Sequence, residues 1–128
     1  MYSIEIKNLR YQKPTKEWQV KVDRSSVLGN PFYMKSDYER GIVCENYRRY
    51  FYKKIYDGDS AFVNEIERLK TLLLQYGKLE LYCWCYPKMC HAQTIKEYLE
   101  RHYTTKGLLW KKILLKLNLL KLLQYLKG

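Results

Sequence analysis

The apolar positions of the chain change period along its length, and each change marks an element. Residues 2–9, YSIEIKNL, set Ile4 and Ile6 between charged neighbours, the two-residue repeat of a half-buried strand. Residues 11–17 are polar and contain Pro14, which predicts a loop. The alternation returns in WQVKVD, 18–23, where Trp18, Val20 and Val22 point one way and predict a second strand. The following RSSVLGNPF, 24–32, is turn chemistry: Gly29 has free access to unusual backbone angles, and Pro31 biases Asn30 away from the helical region.

From residue 36 to residue 56 the period lengthens to that of a helix. Ser36 or Asp37 is the expected N-cap, and Ile42, Val43, Tyr47, Tyr50, Phe51 and Ile55 form the expected buried face. Asp57-Gly58-Asp59 breaks the pattern. Residues 60–77 then predict a second helix, with Phe62, Ile66, Leu69 and Leu73 as its apolar stripe and Gly77 at its end. KLELYCWC, 78–85, reads as a strand. Leu79, Leu81, Cys83 and Cys85 share one face, Tyr82 and Trp84 the other, as suits a central strand covered on both sides. Residues 86–89 make a turn and 90–103 a third helix. The order β-β-α-α-β-α predicts one α/β domain over residues 1–105. Its small sheet, of about three strands, is flanked by helices in a Rossmann-like arrangement of two or three layers.

Residues 106–128 differ in kind, being nearly all Leu and Lys. They predict a C-terminal basic, apolar helix. Its leucines are too many for one buried stripe, and its lysines do not gather on one side. Such a helix needs a second surface besides the domain, most simply a second copy of the chain, so a homo-oligomer is expected.

Composition sharpens this picture. The chain has 128 residues, 47% hydrophobic and 16% aromatic, which suits a folded single domain. A net charge of +11 points to an anionic partner: a nucleotide, a nucleic acid or another phosphorylated molecule. Its distribution tempers that. Residues 1–100 hold 17 basic and 13 acidic residues, a net of +4, and the remaining excess lies in the tail. Lysines interrupt the tail too often for the run of about 18 apolar residues that spans a membrane. The opening MYSIEIKNLR is charged where an export signal is apolar, so a cytoplasmic location with reduced cysteines is expected.

Three of the four cysteines and one of the two histidines fall in CWCYPKMCH, 83–91. The Cys-x-Cys and adjacent Cys-His spacings fit poorly to tetrahedral zinc, so no metal or cofactor is expected. Cys83 and Cys85 read as core residues of the strand. Cys90 and His91 lie where a strand ends and a helix begins, the edge at which open α/β sheets bind ligands. Free helix amides there favour an anion and would lower the Cys90 thiol pKa, making Cys90 and His91 the candidate catalytic pair.

The ordered set VDRSSVLGNPF (22–32), YERGIVCENYRRYF (38–51) and LYCWCYPKMCHAQTIKEYL (81–99) resembles the phage and bacterial domain-of-unknown-function family 4326 over about residues 18–102. The chain has Ala92 and Gln93 where that family often has glycine and an acid. The resemblance implies that Asp23, Arg24, Ser25 and Asn30 converge with Cys90 and His91, joined by Arg40 and Arg48 from the first helix. Arginines, Ser25, Asn30 and helix amides together would cradle a phosphate. The expected function is then binding of a nucleotide or related phosphorylated ligand, with the reaction unassigned. The alternatives are a nucleic-acid-binding module, or a phage protein acting on a host protein through the tail. In the leading reading Arg24 and Asn30 serve the ligand and not the fold.

Overall fold

A computed structural model describes residues 2–102 together with Lys116, Lys121 and Gln124. The tail helix and the oligomer it implies therefore lie outside the described residues. The elements follow the order expected: β1 (Ser3–Asn8), β2 (Gln19–Lys21), a 3-10 turn (Asp37–Glu39), α1 (Arg40–Asp57), α2 (Ser60–Tyr76), β3 (Lys78–Cys83) and α3 (Ala92–His102).

The three strands form one parallel sheet in the order β1-β3-β2. The register aligns Ile4 with Leu79, and Ile6 with Leu81 and Val20. These apolar rows join Tyr47 and Phe51 of α1, Phe62, Ile66, Leu69 and Leu73 of α2, and Ile95 and Leu99 of α3 in a single core. Among the described residues the helices therefore share one face of the sheet. The opposite rows run Glu5–Glu80–Gln19 and Lys7–Tyr82–Lys21 and are largely polar.

β3 is the central strand, as expected, and its second face is mixed, Tyr82 standing in a row with Lys7 and Lys21. Tyr82 is buried there, but the strand ends at Cys83 and Trp84 is 60% exposed. The alternation lapses once pairing stops, because only a pleated strand sends successive side chains to opposite faces.

The helix ends follow local chemistry. Asp59 caps α2, its carboxylate accepting from the Phe62 N–H at 3.0 Å. Gly58 and Gly77 close α1 and α2 in the left-handed conformation. The start of α1 corrects the sequence reading. Neither Ser36 nor Asp37 caps it; Ser36 makes no side-chain cap bond, and the N-cap position falls to Glu39. Asp37 instead accepts from Arg40 Nε and Nη2 at 2.9 and 2.6 Å. Ile42, assigned to the buried face, is 64% exposed, because at about 100° per residue it lies half a turn round the helix from the buried Phe51.

Candidate functional site

Parallel strands carry the chain out of β2 and β3 at the same edge, so residues 23–32 and 84–91 leave side by side. With the N-terminal turn of α1 they enclose a cavity of about 290 Å³. Its wall includes Asp23, Arg24, Asn30, Arg40, Cys90 and His91, six of the eight residues expected at the site.

The other two lie elsewhere. Ser25 is exposed and donates its hydroxyl to Asp23, outside the cavity wall. Arg48 is two turns along α1 from Arg40 and approaches Glu97 of α3 at 4.0 Å. Two turns carry a side chain about 11 Å along the helix axis, too far from the strand ends.

Loop 23–32 is a self-bonded unit. The Asp23 carboxylate also accepts from Ser25 N–H at 3.2 Å and from the Trp84 indole N–H at 3.1 Å. Burial raises its pKa, but these bonds outweigh that and hold it below the ordinary carboxylate value. Arg24 donates to the carbonyls of Asn30 and Phe32 at 3.0 and 3.2 Å and lies 4.1 Å from the Tyr33 ring centroid. The Asn30 side-chain oxygen accepts from Phe32 N–H at 2.9 Å. Arg24 and Asn30 thus shape the loop as well as lining the cavity. Gly29 is required by close approach: a Cβ there would stand 2.4 Å from the Asp23 carbonyl oxygen.

Two buried rings tie this loop to the helices. Tyr47 donates its hydroxyl to the Leu28 carbonyl at 2.7 Å. His91, 8% exposed, hydrogen-bonds through Nε2 to the Val22 carbonyl and meets the Tyr47 ring edge-on at 4.9 Å. Burial pushes the His91 pKa down, so the ring is neutral, with its proton on Nε2 and an acceptor at Nδ1.

Cys90 is more enclosed than its place at a helix start suggests. Cys90, 4% exposed, caps α3: its sulfur accepts from Ala92 N–H at 3.3 Å, so this amide is taken and not free for an anion. Gln93 and Thr94 N–H also have partners, the carbonyls of Cys90 and His91. The Cys90 S–H donates to Cys83 at 3.1 Å. With that one proton engaged, and buried, Cys90 is held far above the ordinary thiol range. It is not the thiolate that its position at a helix start predicts. Cys85 moves the other way. The neighbouring Cys90 thiol, with help from the Arg40 guanidinium and against some burial, brings it down to about 5. Cys44 also lines the cavity, and burial raises its pKa.

Sequence reasoning thus missed Cys85, and with it the cavity's apolar lining of Phe32, Tyr33, Met34, Val43, Trp84 and Met89. Cys85 was assigned to the core by alternation. The Pro87 turn that follows it was the available sign that the strand had already ended. Arg40 reaches this wall by donating Nη1 to the Met89 carbonyl at 3.0 Å. Among the described residues, no group of three or more His, Cys, Asp or Glu side chains is placed to hold a metal ion.

No curated protein and no solved structure matches the chain. Residues 7–101 match the family described as Domain of unknown function (DUF4326), a span that holds the cavity-forming ends of β2 and β3 and the start of every helix around them. The chain belongs to that family.

Proposed function

We propose that the cavity binds a nucleotide or a related phosphorylated small molecule. The observation that carries this reading is an apolar, aromatic-walled cavity at the ends of parallel strands, bordered by two arginines. Phe32, Trp84 and the two methionines suit a planar base. Arg24 and Arg40 each spend some of their five N–H groups on the loop or on Asp37. The rest serve a phosphate. With the first α3 amides engaged, the arginines and not the helix end carry the anion. Any chemistry on the ligand falls to Cys85 and to His91 Nδ1, not to the Cys90 thiol.

Isothermal titration with nucleoside mono- and diphosphates tests this. At least one is expected to bind below millimolar, and Val43→Phe, which fills the cavity, is expected to weaken it at least about tenfold. Binding unaffected by Val43→Phe, or no binding by any of them, overturns the reading.

A second reading, a single-stranded nucleic acid threading the same mouth, is favoured by exposed Tyr33 and Trp84, which offer stacking faces. Oligonucleotide affinity that falls steeply with salt, without mononucleotide binding, would select it. The reading of a phage protein that docks on a host protein rests on residues 106–128, outside the described residues.

A further inference from the structure

We propose that Cys85 is a peroxide-reactive thiol and that Cys90 is its resolving partner. The cavity wall holds both sulfurs. The Cys90 sulfur lies 3.1 Å from that of Cys83, and Cys85 shares the cavity wall with Cys90 across the short turn that joins them. Their access differs. Cys83 and Cys90 are buried, whereas Cys85 is half-exposed on a cavity with room for a small uncharged oxidant. Arg40, anchored at the Met89 carbonyl, lines the same wall, and its positive charge favours a Cys85 thiolate. An exposed thiolate beside a cation with a second thiol in reach is the arrangement of a reversible oxidation site.

The chemistry balances with hydrogen peroxide as the oxidant. A sulfur lone pair of the Cys85 thiolate attacks one peroxide oxygen. The S–O bond forms, the O–O bond breaks and hydroxide leaves, to be protonated by solvent. Sulfur is oxidised by two electrons to the sulfenic acid, and the peroxide is reduced to water. The Cys90 sulfur then attacks the sulfenic sulfur. The S–S bond forms and the S–O bond breaks. The departing hydroxide takes the Cys90 proton and leaves as water. Cys90 suits the second step and not the first, because it is buried and the oxidant meets the half-exposed Cys85 before it. This inference concerns the thiols alone and stands or falls separately from nucleotide binding.

The test treats the full chain with one equivalent of hydrogen peroxide at pH 6, where free cysteine is about 0.3% thiolate. Trypsin cuts after Lys88, so a Cys85–Cys90 disulfide joins peptides 79–88 and 89–96. Fragmentation distinguishes Cys85 from Cys83. The expected result is that disulfide, formed at least about tenfold faster than free cysteine is oxidised. In Cys90→Ser the Cys85 sulfenic acid is expected to persist and be captured by dimedone. Arg40→Gln is expected to move the pH profile of the reaction upwards. If Cys90→Ser fails to fold, dimedone added to the unaltered chain decides, since it must cut the disulfide yield by capturing Cys85. First labelling at Cys44, a Cys83–Cys90 disulfide with no Cys85 adduct, or oxidation no faster than that of free cysteine overturns the proposal.

Discussion

Gly29 and Gly41 are one residue type under two different constraints. At Gly29 the missing side chain lets the chain fold back on Asp23; at Gly41, in α1, a Cβ would meet nothing within 4 Å. Gly29→Ala is therefore expected to destabilise the domain by about 1–3 kcal/mol, because the clash is with backbone that cannot rotate away. Gly41→Ala is expected to stabilise it by about 0.5–1 kcal/mol through helix propensity. Urea midpoints of the two variants check both signs. His91 sets a second expectation. Burial holds its folded pKa below the ordinary histidine value of 6.5, so the unfolded chain binds the proton more readily. Its contribution is whole above pH 6.5 and is lost as pH falls towards the folded value. Stability between pH 7.5 and 5 should therefore drop in the unaltered chain, and less in His91→Asn. Equal slopes in the two would show that other groups cause the drop. At this scale the sequence pointed to the right neighbourhood. It could not say which of three sulfurs keeps a proton, since that depends on distances across a turn and not on spacing along it.

Elements were more legible than their ends. Alternation in residues 2–9 and 18–23 and the Phe62–Ile66–Leu69–Leu73 stripe correspond to β1, β2 and α2 because each buries one face against the same core. The start of α1 was misread because Ser36 and Asp37 look alike as caps on paper, while Arg40 draws the Asp37 carboxylate to itself. The end of β3 was misread because residues 84 and 85 continue an apolar pattern after their neighbours have gone. The cap at Asp59 is the contrast. Asp59→Ala is expected to cost about 1 kcal/mol, the usual loss for a side chain that bonds the N3 amide, whereas Ser36→Ala should be near neutral. Thermal melts of the two variants separate these cases.

For the whole molecule, the α/β class and the parallel pairing that brings 23–32 against 84–91 follow from element order. The face of the sheet that the described helices cover does not, because it turns on the register that sets Glu5, Glu80 and Gln19 in one row. The cavity was only half legible for the same reason. Its polar residues carry recognisable signatures, but its apolar wall is assembled from three segments, no one of which looks unusual alone.

The position of β3 between β1 and β2 also sets a timetable. Ser3 pairs with Lys78 and Gln19 with Glu80, so neither outer strand has a partner until the last strand exists. On a ribosome, the first two strands emerge and wait while α1 and α2 form from local contacts. The sheet then closes around β3 as one late event, after the costly loop closures that slow nonlocal folds. During that wait Ile4, Ile6, Val20 and Val22 are exposed on two unpaired strands, and early helix pairing is what shortens it.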